Sequence, residues 1–347
     1  MRLEDIAELT PTDLTKLIDT IGNTPLEPVH LIIDGKVRTI HLKLEGENPT
    51  GSVKDRTGYS LILDLERQRV LNKGSVIVES TSGNVGVTLA FICQARGYKF
   101  IAVVDPKTTQ ENLHKMHMFG AQIDMVTESD ENGGYLLSRL QHVKELCQRH
   151  KHYHWGNQYG NPANPLIHYK CTGPEIYAQM HGKVDAVFVA VSTGGTLAGI
   201  GQYFREVSPR TRIIGVDVYG SVVFGTAPAP RKLTGIGSSR PSSFLTADLY
   251  DTALFVGDSE AFMFCRALFT TTGILVGGSS GATLAACARY LHDHPELTDV
   301  VCVCADRGEN YSSSIFNDAW LQQQGIVLSS DLLGSVQDIL PAVSKLY

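Results

Sequence analysis

The sequence repeats one unit: a short β-branched run, a glycine-rich turn, and a longer stretch with apolar residues at helical spacing. A clear copy starts with "GSVIVES" at residues 74–80, continues through "TSGN" and ends with "VGVTLAFICQARG", where Gly97 stops the helix pattern. The unit returns in "VDAVFVAV", "STGG" and "TLAGIGQYFREV". Alternating helices and nearly continuous apolar strands predict an α/β fold of parallel sheets with helices on both faces.

Two blocks of this pattern are visible, so we predict two doubly wound parallel-sheet domains with a cleft between them. The smaller, mobile domain is expected at residues 46–157 and the larger at residues 12–45 plus 158–330, followed by a C-terminal tail at residues 331–347. Ligands of open parallel sheets bind beyond the carboxyl ends of the strands. The turns that follow strands should therefore carry the chemistry.

Charge and cysteine usage exclude several classes of function. The chain has 30 Lys and Arg against 36 Asp and Glu, a net charge of −6, and no basic run, which argues against nucleic acid or an anionic membrane as partner. Its 7 cysteines show no disulfide or zinc spacing, and the N-terminal segment does not resemble a secretory signal. We expect a cytoplasmic protein that acts on small molecules and holds no metal.

The turn "VSTGGTLAGIG" is typical of a phosphate site. Two glycines would let the backbone approach an anion, hydroxyl groups would add donors, and the next helix would point free N–H groups at the same place. The residues concerned are Ser192, Thr193, Gly194, Gly195 and Thr196. The turn lacks the Gly-Lys-Ser/Thr ending of a nucleoside triphosphate loop. A turn with a purely structural role is the alternative.

Two further turns have the same character. In "STSGNVG", Thr81, Ser82 and Asn84 precede free helix N–H groups and would form a neutral site sized for a carboxylate. Capping of the helix is the alternative there, and both roles can hold at once. In "VGGSSGATLAA", Ser279 and Ser280 cap the next helix, or one hydroxyl meets a ligand.

The stretch "ENPTGSVKDR" at residues 47–56 places Lys54 directly after a Pro-Thr-Gly-Ser turn. A lysine held on a turn, a phosphate site and a carboxylate site together suit one cofactor. Pyridoxal phosphate needs a lysine for covalent attachment, a phosphate-binding turn and a partner for its ring nitrogen. We therefore predict that pyridoxal 5'-phosphate binds in the cleft.

Six motifs make the chain resemble the cysteine synthase and cystathionine β-synthase family of pyridoxal phosphate enzymes (fold type II, tryptophan synthase β-like). They are "IGNTPL", "NPTGSVKDR", "TSGNVG", "NPANPLIHYKCTGPEI", "STGGT" and "GGSSGA". The resemblance implies a homodimer in which Lys54 holds the cofactor and moves the Cα proton, Asn84 binds the ring hydroxyl and Ser279 faces the ring nitrogen. It also implies a phosphate site at Ser192, Thr193, Gly194, Gly195 and Thr196, and a substrate carboxylate site at Thr81, Ser82, Asn84 and Gln158.

The residues suggest which reaction this cofactor would support. A neutral serine beside the ring nitrogen leaves the pyridine largely unprotonated, which weakens the electron sink and favours β-elimination over transamination. Ser192 and Val85 stand where the sulfhydrylases of the family usually have glycine and threonine. Both departures count against sulfide as the nucleophile.

Further motifs are similar to the branch of the family that makes 2,3-diaminopropionate precursors for siderophores and antibiotics. They are "VVDPKTTQENL", "ENGGYLLSRL", "GSVVFG", "GIGSSR" and "ADRGENY". The resemblance implies O-phospho-L-serine as electrophile and the amine of L-glutamate as nucleophile. Glutamate brings two carboxylates, so an extra cation is expected, and Arg139 is the candidate. By the same resemblance Tyr159 and Ser192 would contact substrate, and Arg240 the departing phosphate.

Other interpretations stay open at this point. An O-acetylserine or O-phosphoserine sulfhydrylase, which makes cysteine, is the alternative enzyme, and serine or threonine dehydratases share the fold and cofactor. A non-catalytic scaffold is the alternative of another class, against which the intact "GSVKDR" argues. For Arg139 the alternative is an arginine on a helix flank with its head in water.

Overall fold

The computed structural model describes residues 11–130 and 134–342 and contains two β-sheets. Its strands are β1 (Leu26–Ile33), β2 (Lys36–Leu44), β3 (Val76–Ser80), β4 (Lys99–Val104), β5 (Gln122–Met125), β6 (Tyr153–Trp155), β7 (Ala186–Ala190), β8 (Arg212–Val218), β9 (Thr252–Val256), β10 (Val300–Cys304) and β11 (Val336–Pro341).

The helices cover both sheets. The α-helices are α1 (Pro11–Ile18), α2 (Lys54–Arg67), α3 (Asn84–Arg96), α4 (Gln110–Met118), α5 (Leu136–Arg149), α6 (Ala163–Ile167), α7 (Gly173–Gln179), α8 (Gly195–Val207), α9 (Asp258–Thr272), α10 (Gly278–Asp293) and α11 (Asp318–Gln323). A π-helix follows α6 at His168–Thr172, and short 3-10 helices lie at Glu45–Glu47, Gly308–Tyr311 and Ser330–Leu333.

The smaller sheet has four parallel strands in the order β5-β4-β3-β6. One face packs on α3, where Ile77, Phe91 and Phe100 share one apolar core. The other face packs on α5 through Val78 and Val143. Helices on both faces bury the central strands β3 and β4, which explains their nearly continuous apolar sequence. The predicted α/β fold with parallel sheets is confirmed.

The larger sheet has the order β11-β1-β2-β10-β7-β8-β9. The five neighbouring strands β2, β10, β7, β8 and β9 run parallel. By contrast, β1 pairs antiparallel with β2 and with β11. Two antiparallel strands, β1 and β11, thus extend one edge of the predicted parallel sheet. Asp34 and Gly35, with φ of 51° and 73°, join β1 to β2 in a two-residue hairpin turn, which needs positive φ at both positions.

Part of the segment predicted as a C-terminal tail is a strand. β11 closes the edge of the larger sheet beside β1. Val336 and Ile339 are 4% and 1% exposed, and the register shift opposite Ile32 and Ile33 lets both reach the core although they lie three positions apart. The tail prediction is wrong for these residues, while residues 343–347 lie outside the described part. The boundaries between the two domains remain a prediction.

The strand order brings three turns to one cleft, those after β3, β7 and β10. A cavity of about 660 Å³ opens there, lined by Ser82 and Arg139 from the smaller-sheet side and by Ser192 and Gly237 from the larger-sheet side. Among the described residues, no helix is long and apolar enough to cross a membrane. The first three residues of the motif "ENGGYLLSRL", 131–133, lie outside the described part.

Candidate active site

Lys54 is the first residue of α2 and stands half-buried at the end of a tight turn. Asp55 fixes this turn from inside: its buried carboxylate accepts hydrogen bonds from Thr50 N and Thr88 Oγ1, both at 2.6 Å. Thr88 lies on α3, whose first residue is Asn84. One carboxylate therefore ties the Lys54 turn to the helix that carries the predicted partner of the cofactor.

Lys54 and the predicted phosphate turn share a small cavity. This cavity of about 30 Å³ is lined by Lys54, Ser192, Thr193, Gly194 and Thr196, with Val53 and five further residues. Burial lowers the pKa of the Lys54 ammonium to about 8, against the opposing effect of the Asp306 carboxylate. A share of the amine is thus neutral at physiological pH, as attack on a carbonyl and proton abstraction both require.

The glycines of the predicted phosphate turn leave its backbone open to close approach by an anion. A Cβ at Gly194 would collide with Ser242, and one at Gly195 with Asn164. Gly194 has φ of 91°, which favours glycine. Helix α8 begins at Gly195, so its first N–H groups have no partner within the helix and carry the positive end of its dipole. Backbone donors and helix dipole together suit a phosphate group.

The hydroxyl groups of this turn are oriented by neighbouring residues. Ser192 Oγ donates to the carbonyl oxygen of Gly237 at 3.1 Å. Asn164 Nδ2 donates to Thr193 Oγ1 at 3.2 Å. Ser192 lines both the small cavity beside Lys54 and the large cavity of the cleft. It is therefore the residue of this turn that connects the cofactor side with the substrate side.

The turn after β3 combines a bonded hydroxyl with an open one. Thr81 Oγ1 accepts hydrogen bonds from Gly83 N at 3.1 Å and Gly86 N at 3.0 Å, so Thr81 closes this turn, whereas the N-cap residue is Gly83 and neither Ser82 nor Asn84 caps the helix. Ser82 is exposed instead and lines the large cavity. In this turn, Ser82 is better placed than Thr81 to meet a substrate carboxylate.

Asp306, which was not among the predicted site residues, connects the turns of the site. Asn84 Nδ2 donates to its Oδ2 at 2.7 Å, and Tyr311 Oη donates to the same oxygen at 2.6 Å. Gly277 N donates to the Asp306 carbonyl oxygen at 3.1 Å, which holds the turn that precedes the buried Ser279. Burial raises the pKa of Asp306. The sequence signal that could have identified Asp306 as a site residue is its position, two residues beyond the carboxyl end of β10.

Gln158 is bound to the end of β3. Its Nε2 donates to the Ser80 carbonyl oxygen at 2.8 Å, and its backbone N donates to Glu79 Oε2 at 3.1 Å. Glu79 is fully buried and also accepts from Trp155 Nε1 at 3.1 Å. Burial raises the pKa of Glu79 to about 7. This carboxylate, also missed from the sequence, was visible as the one charged residue in "VIVES".

Arg139 lies in the wall of the large cavity. It is 4% exposed, and its Nε stands 3.1 Å from Asp105 Oδ2. Among the described residues, its Nη1 is buried without a hydrogen-bond partner. The alternative of a helix-flank arginine with its head in water is therefore wrong. The guanidinium has one acidic neighbour and spare donors.

Tyr159 separates the large cavity from a second groove. It lines both the cavity and this adjoining groove of about 510 Å³. Burial raises the pKa of Tyr159, while Arg139 and Arg240 lower it. Arg240 lines the groove together with Lys144 rather than the cavity. The hypothesis that Arg240 meets the departing phosphate gains no support from this placement.

The residues around the cleft fit pyridoxal phosphate. A lysine of lowered pKa faces a glycine turn at a helix N-terminus, which suits an aldehyde and a phosphate on one small molecule. The amide of Asn84 and the hydroxyl of Ser279 stand on turns held together by Asp306. No group of His, Cys, Asp and Glu in residues 11–130 and 134–342 could hold a metal ion.

This combination of fold and site defines a pyridoxal phosphate enzyme of fold type II. The chain belongs to the family of pyridoxal-phosphate dependent enzymes, whose family model matches residues 17–306. The predicted cofactor and the predicted family are thereby confirmed.

Two relatives share one enzyme name and resemble this chain over most of its length. The chain is 39% identical to N-(2-amino-2-carboxyethyl)-L-glutamate synthase of Ralstonia nicotianae over 332 residues, 94% of this chain and 96% of that protein. It is 37% identical to the synthase of the same name from Cupriavidus metallidurans, over 94% of this chain and 97% of that protein.

Solved structures show the same fold. A hydrogen sulfide-producing enzyme from Fusobacterium nucleatum has a TM-score of 0.80 and 32% identity, covering 85% of this chain and 98% of that one. An O-ureido-L-serine synthase has a TM-score of 0.79 and 30% identity, covering 88% and 98%. Both likenesses cover nearly all of the solved chains and therefore confirm the fold of this chain along most of its length.

Proposed function

We propose that the chain joins O-phospho-L-serine to the amine of L-glutamate by β-replacement, giving N-(2-amino-2-carboxyethyl)-L-glutamate and phosphate. The names of two relatives, 39% and 37% identical over 94% of the chain, support this. The structural observation that carries it is Arg139, whose buried Nη1 lacks a partner among the described residues. A carboxylate of glutamate would supply that partner, whereas sulfide would not.

Lys54 has two tasks in this proposal. It would hold the cofactor covalently and, as a free amine, take the proton from Cα of phosphoserine while the bond from Cβ to the phosphate oxygen breaks. It would return a proton to Cα once the glutamate nitrogen has bonded to Cβ. Bound pyridoxal phosphate supplies the electron sink for the bonds at Cα. The pKa of about 8 suits Lys54 to act as a base near neutral pH.

The other cofactor contacts follow from the turns. The phosphate would lie against the N-terminus of α8, the ring hydroxyl would accept from the amide of Asn84, and the ring nitrogen would face Ser279. Asp306 fixes the orientation of the Asn84 amide by accepting its hydrogen bond at 2.7 Å. Residues proposed for the phosphate are Ser192, Thr193, Gly194, Gly195 and Thr196.

Two carboxylate subsites are proposed for the substrates. The α-carboxylate of phosphoserine would bind at the turn after β3 through Ser82, with Thr81, Asn84 and Gln158 shaping the turn. Glutamate would approach from the large cavity, which Arg139, Tyr159 and Ser192 line. The smaller domain, residues 46–157, would close over the substrate carboxylate, because Ser82 and Arg139 both lie on its side of the cleft.

The wider setting is proposed on the same basis. The product would be a 2,3-diaminopropionate precursor for siderophore biosynthesis, made by a cytoplasmic homodimer. All 7 cysteines are free, which fits a reducing compartment. Small amino acids would be the only partners besides a second copy of the chain.

Product analysis tests the function directly. The holoenzyme with O-phospho-L-serine should release phosphate and form N-(2-amino-2-carboxyethyl)-L-glutamate when glutamate is supplied, as detected by mass spectrometry. The Lys54→Ala variant is the control for non-enzymatic product. Rapid formation of cysteine from sulfide with glutamate left unused would contradict the proposal. It would instead make the chain a sulfhydrylase.

A further inference from the structure

The large cavity holds a second guanidinium that the proposed function leaves unused. Arg231 lies in the loop between β8 and β9 and lines the cavity together with Arg139. Arg139 comes from α5 beside the smaller sheet, whereas Arg231 comes from the larger sheet. The cleft is therefore supplied with an arginine from each side.

Arg231 is held against the main chain that supports the phosphate turn. Its Nη1 donates to the Gly220 carbonyl oxygen at 3.1 Å. Its Nε would lie 3.1 Å from a Cβ at Gly237, so the side chain packs on that glycine. Gly237 in turn accepts from Ser192 Oγ at 3.1 Å and donates to Val191 O at 2.7 Å. The position of Arg231 is thus coupled to the turn through one residue.

The charge of Arg231 is not neutralised by contact. In the part of the chain that the structure describes, Arg231 makes no ion pair, and its hydrogen bond goes to a neutral carbonyl oxygen. Burial lowers the pKa of Arg231, and Asp217 and Asp258 oppose this only by their electrostatic field. A half-buried cation that no carboxylate contacts is incompletely compensated for its lost hydration. An anion arriving in the cavity would offset that loss.

The cavity as a whole carries excess positive charge. Its cationic lining residues are Lys107, Arg139 and Arg231, and among the described residues that line it Asp105 is the sole carboxylate. Asp105 already stands beside Arg139, with 3.1 Å between Oδ2 and Nε. Arg231 is therefore the arginine of the cleft whose charge is most available to a ligand.

We propose that Arg231 binds an oxyanion group of a substrate, either a carboxylate of the acceptor amino acid or the phosphate of the donor. The inference rests on the proposed function and assigns to its cleft a second anion-binding residue. Arginine suits both groups, because its donors match the two oxygens of a carboxylate or a phosphate.

Two substitutions and one matched control test this role. Arg231→Gln removes the charge, and Arg231→Lys keeps it without the two-pronged geometry. Lys232→Gln removes one positive charge at the next residue, which is exposed and bonds Gln324 Oε1 at 2.6 Å. Thermal unfolding and the cofactor absorption spectrum of each holoenzyme show whether the fold and the cofactor site are intact.

Steady-state kinetics with different substrate pairs separate the two oxyanion sources. R231Q should raise KM for glutamate about tenfold or more if Arg231 binds the acceptor carboxylate. It should raise KM for O-phospho-L-serine, but not for O-acetyl-L-serine, if Arg231 binds the phosphate. R231K should recover part of the loss, and K232Q should behave as wild type. An equal loss with every substrate, or no loss with any, would overturn the proposal.

Calorimetry gives a readout that does not depend on the reaction. Inorganic phosphate and glutarate are the probes, titrated into the holoenzyme. At least one should bind R231Q about tenfold more weakly than wild type and K232Q. Unchanged binding of both probes would overturn the proposal. If the wild-type enzyme rejects glutamate as acceptor, the proposed function fails, while these titrations still decide the role of Arg231.

Discussion

Two pairs of cations removed from solvent are stabilised in opposite ways in this fold. The first pair, Lys43 and Arg56, is fully buried. Lys43 is fully buried, and its Nζ donates to Thr24 O at 2.7 Å, Glu175 Oε2 at 2.8 Å and Gln179 Oε1 at 2.9 Å. All three donors of this ammonium are satisfied.

Arg56 completes the same network. Its guanidinium pairs with both oxygens of Glu45 at 2.7 and 2.8 Å, and with both oxygens of Glu175 at 2.7 Å. Burial alone would lower the pKa of Arg56, but the two carboxylates raise it above its usual value. This cation is permanently charged and fully paired, which is the condition for a buried ion pair to persist.

The second pair, Lys54 and Arg139, lines the cleft with donors to spare. In the described structure, Lys54 Nζ makes no hydrogen bond or ion pair, and burial lowers its pKa to about 8. Arg139 has one acidic neighbour, Asp105, and a buried Nη1 without a partner. Buried donors are nearly always satisfied in native proteins. The donors of the first pair are satisfied within the protein and stabilise the fold, whereas we propose that the spare donors of the second pair bind ligands.

Replacing Lys54 should have the largest effect on the ligand side. Lys54→Ala should lower turnover by about 1,000-fold or more, because both covalent attachment and proton transfer are lost. The chain should stay folded, since the amine has no protein partner. Turnover, circular dichroism and the cofactor absorption spectrum measure this. Activity within tenfold of wild type would remove Lys54 from the chemistry.

Replacing Arg56 should have the largest effect on the structural side. Arg56→Met removes an ion-pair partner from the buried Glu45 and the partly buried Glu175, which should lower the free energy of unfolding by about 3–5 kcal/mol. Arg139→Met should cost less, because Asp105 keeps the backbone N of Lys107 as a donor at 2.8 Å. Urea unfolding of both variants tests the contrast. Equal losses of stability would break the distinction between the two pairs.

Arg139→Gln should weaken the binding of glutamate. We expect KM for glutamate to rise about 10- to 100-fold, the usual cost of losing a charge-assisted hydrogen bond, while the protein remains folded. Arg149→Gln is the control: it removes a positive charge from the same helix, where Arg149 is exposed and pairs with Glu145. Steady-state kinetics with both variants decide the matter. If R139Q leaves KM for glutamate unchanged, Arg139 does not bind the substrate and has a structural role like that of Arg56.

The smallest effect concerns the pH dependence of cofactor capture. Only the neutral amine of Lys54 attacks the aldehyde, so the rate for the apoprotein should rise as pH increases through the pKa of about 8 and then level off. Between pH 7 and pH 8 the neutral fraction grows about fivefold. Stopped-flow absorbance measures the rate. A rate that keeps rising to pH 10 would mean that burial does not lower the pKa of Lys54.

The turns of the site could be predicted from sequence because their signals are local. Glycines and hydroxyl residues directly after apolar strands predict the turns at Asn84 and Gly194. The turn before Lys54 is predicted by its own Pro-Thr-Gly-Ser sequence. The hairpin at Asp34 and Gly35 also had a local signal, a DG pair between apolar runs, which the repeated strand–helix pattern overshadowed. Short sequence patterns therefore suffice to predict most of the fold and the turns on the cofactor side of the cleft.

The supporting residues could not be predicted, because their partners are distant in sequence. Asp306 acts on Asn84 across 222 positions, and Arg56 meets Glu175 across 119. No spacing rule links such pairs, and only the folded chain shows which cations are paired. The distinction between Arg56 and Arg139 is therefore a property of the structure, since both are arginines near apolar helix residues in the sequence.

A competition between acceptors tests the central claim most directly. The holoenzyme receives O-phospho-L-serine with equal concentrations of glutamate and sulfide, and mass spectrometry gives the ratio of the two products. We expect N-(2-amino-2-carboxyethyl)-L-glutamate to dominate with wild type and the ratio to move toward cysteine with R139Q. Cysteine as the main product of both proteins would contradict the claim that the spare donors of Arg139 select a dicarboxylate acceptor.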